Sequence, residues 1–419
     1  MKPNRHPSAR AQAASLLQQL LQEKCTLDEA LAQHPLQGDD ADTRFTMMLV
    51  LTTLRHLGQV DALLARYVSK PLPEKRVVAR QALRLGAVQL LLMNTPAHAA
   101  VNETVQLVKS GKDAGLSGLV NAVLQKIARE KPGLPEPVHN VPAWLRSRWE
   151  KTYGAPVVKA MAAIAAQRPP LDVHSPTQGF AQGERLDATV WRLPAEHESV
   201  ASLEGYGEGS FWVQDVAATY PVRLLGNVKG QVALEIGAAP GGKTAQLAYA
   251  GAAVTALDKS AARMETLKEN MSRLKLGVET EVADMLQWEP AARYDVVLLD
   301  APCSATGTWR RHPELLMVTT QHDITELARQ QRAMLSRAWG WVKPGGTLVY
   351  CVCSLEPEEG EQQAAWFAQH HSDAALVKAD AATMPAMAVT PEGWLRTRPD
   401  MLQESGGMDG FFAAQFRKQ

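Results

Sequence analysis

Two thiols dominate the chemistry available to this chain. Cys353 falls where the sequence predicts the carboxyl end of a strand, opening on a crevice. Cys303 stands three residues beyond Asp300, at the predicted end of the neighbouring strand, so both sulfurs face one cavity together with an acid. A nucleophilic thiol beside a carboxylate is equipment for covalent catalysis, with the acid available for proton work. Cys351 shares the direction of Cys353 by two-residue alternation but lies one pleat deeper, and reads first as a small packing residue. With Cys25 these are the four cysteines of the chain, and their spacing makes neither a disulfide framework nor a paired zinc pattern.

A glycine loop supplies the second group. Gly237-Ala238-Ala239-Pro240-Gly241-Gly242-Lys243-Thr244 follows a predicted strand and opens a predicted helix. As a pattern it satisfies the phosphate-cradling loop of nucleotide hydrolases, with Asp300 in the place of a magnesium-binding acid. Three features oppose that reading. Asp258 ends the next strand, where a carboxylate can accept from both hydroxyls of a ribose. Asp284 ends the strand after that, within reach of an adenine edge. Asp300 continues into Ala-Pro-Cys-Ser, which puts a thiol beside the acid. Acids at four successive strand ends of one sheet suit an adenosine-containing cofactor.

The elements that must position these groups are legible from periodicity. Apolar runs at Val232–Ile236, Ala253–Leu257, Val278–Ala283, Val296–Leu299 and Thr347–Val352 alternate with longer amphipathic segments. One segment starts at the N-cap Ser260 and carries Met264, Leu267, Met271 and Leu274 on one face. Lys343-Pro-Gly-Gly346 reads as a turn into the fifth strand. This order predicts an α/β fold, a doubly wound, mostly parallel Rossmann-like sheet over residues 213–419, with ligands beyond the carboxyl ends of the strands. Residues 1–134 read as all-helical: Leu57, Val60, Leu64 and Tyr67 recur at helical spacing, and Val77–Met93, His98–Val108 and Leu116–Ala128 look helical. Prolines at 132, 135 and 137 close that domain. Residues 135–212 form a small α+β connector, beginning with a short helix over Pro142–Tyr153.

At 419 residues the chain is long enough for two or three domains. Its formal net charge is zero, but residues 1–134 carry 17 Lys/Arg against 11 Asp/Glu. That local excess is compatible with phosphate contact and equally with an ordinary solvated helical surface. No apolar run reaches the ~18 residues of a membrane span, and the opening MKPNRHPSARAQAAS has no apolar core of a secretory signal. A cytoplasmic protein with free thiols is expected.

Three blocks carry a family resemblance: Glu235–Thr244, Asp300–Pro313 (DAPCSATGTWRRHP) and Tyr350–Gly360 (YCVCSLEPEEG). They resemble the signatures of RNA cytosine-5 methyltransferases, and most closely the RsmB (Sun/Fmu) family acting on bacterial 16S ribosomal RNA. Pro96–Val105 and Gly118–Leu124 resemble the NusB-like RNA-binding domain of that family. Val213–Ala218 and Gly407–Ala414 also fit, and the resemblance is weakest over 171–210. It implies S-adenosylmethionine as cofactor, held by Gly237–Lys243, Asp258, Asp284 and Asp300, and 16S rRNA or a small-subunit precursor as partner. The chain departs from the family at three places: Gly237 where Cys is usual, Glu235 where Asp is usual, and Val352 where Thr is usual. Val352 thereby lacks a hydroxyl beside the expected nucleophile.

Cytosine C5 is a poor nucleophile, so methylating it requires a transient change of the ring. A thiolate adds to C6, electron density moves to C5, and C5 attacks the methylsulfonium; a base then removes the C5 proton and the thiolate leaves. The resemblance implies Cys353 as nucleophile and Cys303 as the group assisting release. Asp300 would bond the N3/N4 edge, and Lys243 either helps orient it or caps the loop. Arg310, Arg311 and His312 follow the site and either hold RNA phosphate or form a solvated loop. A base inside structured RNA must be turned out of its stack to meet the thiol. The rival class is an RNA-binding factor that keeps the fold without turnover.

Overall fold

The computed structural model describes residues 7–176, 180 and 182–419; the charged start, residues 1–6, lies outside the described residues. Two compact units result, Met1–Gln167 with Arg311–Thr319, and Arg168–Arg310 with Thr320–Gln419. Among the described residues no helix is long and apolar enough to cross a membrane.

The first unit is helical: α1 (Ala9–Gln18), α2 (Leu27–Gln33), α3 (Asp40–Arg55), α4 (Leu57–Leu64), α5 (Val77–Leu91), α6 (Ala97–Lys109), α7 (Ser117–Glu130), α8 (Ala143–Tyr153) and α9 (Ala155–Ala165). Leu17, Leu49, Leu85, Val88, Val101, Leu124 and Ile127 form one core from α1, α3, α5, α6 and α7. Their three- and four-residue spacing is what buries one face of each helix. Thr26 starts α2 with a reciprocal cap, its hydroxyl taking Glu29 N–H while the Glu29 carboxylate takes Thr26 N–H. Helices α8 and α9 group with this unit, and the division falls after Gln167.

The second unit opens with a small antiparallel sheet, β1 (Leu171–His174), β2 (Glu184–Arg185), β3 (Val190–Leu193) and β4 (Trp212–Val213), in the order β2-β3-β1-β4. Helix α10 (Val216–Arg223) leads into β5 (Val232–Ile236), α11 (Gly242–Tyr249), β6 (Ala253–Asp258), α12 (Ala261–Leu274), β7 (Glu279–Val282), β8 (Tyr294–Asp300), α13 (Gln321–Gly340), β9 (Val342–Val352), α14 (Glu361–His370), β10 (Ala374–Val377), β11 (Leu395–Arg396) and β12 (Phe412–Lys418). The large sheet runs β10-β12-β9-β8-β5-β6-β7, with β11 on β12. Strands β9, β8, β5, β6 and β7 are parallel, and β12 and β10 are antiparallel.

Alternation along these strands feeds two cores. Leu234, Ile236, Val297, Leu299, Leu348 and Tyr350 pack on one face, and Ala233, Val296, Leu298, Val349 and Cys351 on the other. Burial on both faces explains the nearly continuous apolar runs. The chain builds β5, β6 and β7 outward, then crosses back to place β8 on the other side of β5. Strand order therefore reverses between β5 and β8, where open α/β sheets leave a crevice for ligands.

The Lys343–Gly346 segment differs from its expected turn. It lies within β9, whose register against β8 jumps from Tyr294↔Val342 to Val296↔Thr347. The glycine pair is accommodated as a bulge, with Gly345 at φ +75°.

Candidate active site

The glycine loop meets the end of β8 across the switch point. Gly237 holds φ +75°, and a Cβ there would stand 2.3 Å from the Asp300 carbonyl oxygen. Only glycine combines that backbone angle with so close an approach. The N–H groups of Gly237 and Ala238 donate to Leu257 O at 2.9 and 3.2 Å. Asp258 ends β6 with its carboxylate almost wholly buried; Oδ2 accepts from Ala239 N at 3.2 Å and Oδ1 from Ser260 N at 2.9 Å. It thus braces the loop and keeps further lone pairs for a ribose. Asp284 lies two residues past β7, exposed, with Oδ1 accepting from Leu286 N at 2.9 Å. Pro240, Gly241 and Gly242 complete the turn into α11, whose first N–H groups have no partner within the helix. A glycine cradle at the switch point with acids at the adjoining strand ends fits an adenosine-containing cofactor.

Lys243 does not point at a phosphate site. Its Nζ lies 2.7 Å from Asp300 Oδ2, and the side chain is buried. Burial alone disfavours the ammonium, but Asp300, Cys351 and Glu235 outweigh it and hold the Lys243 pKa above the ordinary lysine range. The nucleotide-hydrolase reading loses its lysine to this ion pair. Cys351 lies beneath Asp300, Sγ to Oδ1 3.7 Å; burial pushes its thiol up, and Asp300 adds to the shift. Glu235, at the end of β5, is fully buried and accepts from Thr244 Oγ1 at 2.6 Å. Burial pushes its pKa up to about 8, with Thr244 and Lys243 opposing.

The two other thiols meet. Cys303 Sγ and Cys353 Sγ are 3.5 Å apart, both residues half-buried. The hydrogen bond to Cys353 and burial push the Cys303 thiol well up. The loops that carry them are laced together. Gly307 N donates to Cys353 O at 2.9 Å and Leu355 N to Thr306 Oγ1 at 3.0 Å. Gly307 has room for nothing larger, since a Cβ there would meet Gly410 O at 1.9 Å. Beneath them lies a buried polar group that sequence reasoning quoted without assigning a role. Glu359 Oε2 accepts from the hydroxyls of Ser304 and Ser354, each at 2.5 Å. Its Oε1 accepts from Ser304 N at 2.9 Å and Gln331 Nε2 at 3.2 Å. The available signal was that a serine follows each cysteine, with a glutamate five residues past the second serine.

The structure corrects one expected phosphate contact. Arg310 is 1% exposed and its guanidinium lies 2.7 Å from Asp215 Oδ2 and 3.5 Å from Asp409 Oδ1, while donating to Gly406 O at 3.1 Å. It faces carboxylates of its own chain instead of solvent, because the chain folds α10 and the segment before β12 around it. Arg311 and His312 are half-buried and fall beyond the unit that holds the thiols; His312 Nδ1 lies 3.6 Å from Glu314 Oε1. Lys243, Asp300, Cys303 and Cys353 are brought together at the β8 and β9 ends, and Val352 beside them is fully buried in the core.

Comparison with known proteins follows the same division. The family model described as 16S rRNA methyltransferase RsmB/F matches residues 222–417, and the NusB family model matches residues 7–129. The ribosomal RNA small subunit methyltransferase B of Erwinia tasmaniensis is 33% identical, covering 97% of this chain and 98% of that protein. The protein of the same name from Shewanella oneidensis is 32% identical, covering 98% and 99%. The crystal structure of PH0851 shares the fold with a TM-score of 0.74 at 22% identity, over 99% of this chain and all of that one (100%).

Proposed function

Because the chain belongs to the RsmB/F family of 16S rRNA methyltransferases, S-adenosylmethionine-dependent enzymes that methylate cytosine C5, we propose that it works through a covalent Cys353–C6 adduct. The observation carrying this reading is the 3.5 Å pair of thiols beside the Lys243–Asp300 ion pair at one crevice. Cys353 Sγ forms a bond to C6, and the C5=C6 electron pair moves onto C5. Asp300, held by Lys243, bonds the N3/N4 edge of the ring and favours the redistribution of charge. When bound, S-adenosylmethionine supplies the electrophilic methyl group that C5 takes up. The C5 proton then passes to a base, the S–C6 bond breaks, and Cys353 recovers its electron pair. Cys303, its sulfur 3.5 Å away, serves the departing sulfur. Gly237–Lys243, Asp258, Asp284 and Asp300 hold the cofactor.

The helical domain, with its excess of basic residues, contributes RNA contacts, and Arg311 and His312 add phosphate contacts. The substrate is 16S rRNA, free or in a small-subunit precursor, in the cytoplasm. Labelled-methyl transfer to 16S rRNA, located by bisulfite sequencing, tests the reading. One cytosine gains the label with the parent protein and none with Cys353→Ala. Full methylation by Cys353→Ala overturns it, and no transfer by the parent favours a binding factor instead.

A further inference from the structure

Glu359 lies where no substrate or cofactor reaches it, fully buried under the thiol loops. Burial pushes its pKa up, while the Ser304 and Ser354 hydroxyls, Ser304 N–H and Gln331 oppose the shift. A buried carboxylate ringed by donors adds little to stability compared with an apolar replacement, so its placement calls for another reason. The sequence positions of its partners give one. Ser304 is the residue after Cys303, and Ser354 is the residue after Cys353. One carboxylate oxygen, Oε2, takes both hydroxyls at 2.5 Å, which fixes the two cysteine backbones relative to each other. The residue is itself anchored: Tyr350 OH donates to the Glu359 backbone carbonyl at 2.5 Å from β9, and Gln331 donates to its carboxylate from α13.

We propose that Glu359 is a positioning residue that clamps the two thiol loops and thereby sets the separation of the Cys303 and Cys353 sulfurs. The proposal rests on the covalent reading for its purpose, since attack by one thiol and release by the other require both at one base. The Gly307–Cys353 and Thr306–Leu355 bonds persist without the carboxylate. Loss of Glu359 therefore lets the sulfurs drift without unfolding the loops. Misplacement on the order of 1 Å can cost about 100-fold in rate.

The test reads sulfur spacing directly. Diamide, a diazene that is reduced to a hydrazine as two thiols become a disulfide, is applied to the full chain, and the Cys303–Cys353 link is quantified by peptide mass mapping. In the parent the link closes fast, because sulfurs 3.5 Å apart need only a small shift to reach bonding distance. In Glu359→Ala and Glu359→Gln the link forms about tenfold more slowly or worse, and kcat for methyl transfer falls about 10- to 100-fold. The KM for S-adenosylmethionine and the thermal midpoint of Glu359→Gln stay near the parent's. Should Glu359→Ala fail to fold, Ser354→Ala removes the Cys353-side tether to the carboxylate, together with the Ser354 contacts to Ser304 and Thr306, and must slow the link in the same direction. Parent-like link formation in folded Glu359→Gln and Ser354→Ala overturns the clamp. Absence of a covalent complex between the parent and 5-fluorocytosine RNA sinks the covalent reading instead, and the disulfide rates still judge the clamp.

Discussion

Removing the Arg310 guanidinium separates a buried structural cation from a phosphate contact. The guanidinium sits between Asp215 and Asp409, which are 7% and 0% exposed. Arg310→Ala removes the guanidinium from between two buried carboxylates that Arg192 also attracts, and breaking such a buried pair costs about 3–5 kcal/mol. Asp215 keeps the N–H groups of Ala217 and Asp409, at 2.9 and 3.1 Å, so the lower end, about 3 kcal/mol, applies. Arg310→Lys keeps the charge but not the fork that addresses two acids and a carbonyl, and falls between. Urea titration followed by tryptophan fluorescence is suited to the question, since eight of the ten tryptophans belong to the unit containing Arg310. A chain of two units need not unfold in one step, so the comparison is of the midpoint of that signal at constant slope. RNA affinity is measured in parallel against salt. The expected result is a large loss of midpoint with an unchanged salt slope among molecules that remain folded. An unmoved midpoint with a salt slope lowered by about one would place Arg310 on a phosphate and refute the argument.

Gly237→Ala should destabilise the cofactor loop by about 1–3 kcal/mol from left-handed backbone and overlap with Asp300 O, and weaken S-adenosylmethionine binding in calorimetry; undiminished binding contradicts the close-approach argument. Asp258→Ala removes the brace on Ala239 and the ribose acceptor together, weakening the same binding by roughly 1–3 kcal/mol; equal affinity removes Asp258 from the cofactor site. Glu235 has an ordinary pKa near 4.5 and a folded one of about 8, so the folded chain holds a proton that the unfolded chain releases between those values. Stability contributed at low pH is therefore lost as pH rises through that window, by on the order of 5 kcal/mol at most. Glu235→Gln keeps an acceptor for Thr244 and should flatten the decline in urea midpoint from pH 5 to pH 8; parallel profiles for the two proteins contradict the buried-acid account.

The large sheet is readable because parallel strands buried on both faces leave uninterrupted apolar runs, and Val232–Ile236 matches its strand to the residue. The loop from Gly237 to Lys243 and the acids at 258, 284 and 300 are readable because they fall where predicted strands end and the chain turns at the crevice. The Lys343–Gly346 bulge is not, since Pro-Gly-Gly carries the same local signal whether the chain turns or kinks within a strand. Antiparallel β12 also escapes, its partner being β9, some 60 residues back, and strand pairing at that range leaves no local signature. Arg310 and Glu359 illustrate the general difficulty. Arg310 reads as one more basic residue in Trp309-Arg-Arg-His312, and its two acids lie 95 residues before and 99 after it. Glu359 stands among acidic neighbours in Glu356-Pro-Glu-Glu359, and only the meeting of two loops at its carboxylate distinguishes it.

The covalent mechanism is tested most directly by trapping. Cys303→Ala leaves Cys353 free to attack but removes the group serving its departure, so methylated RNA should remain bonded to Cys353. A denaturing gel of Cys303→Ala incubated with 16S rRNA and S-adenosylmethionine should show a protein–RNA band that disappears in Cys303→Ala/Cys353→Ala and never forms with Cys353→Ala alone. A band from Cys353→Ala that is missing from Cys303→Ala reverses the two roles. No band from either variant, with both still methylating RNA, contradicts the thiol mechanism for this protein.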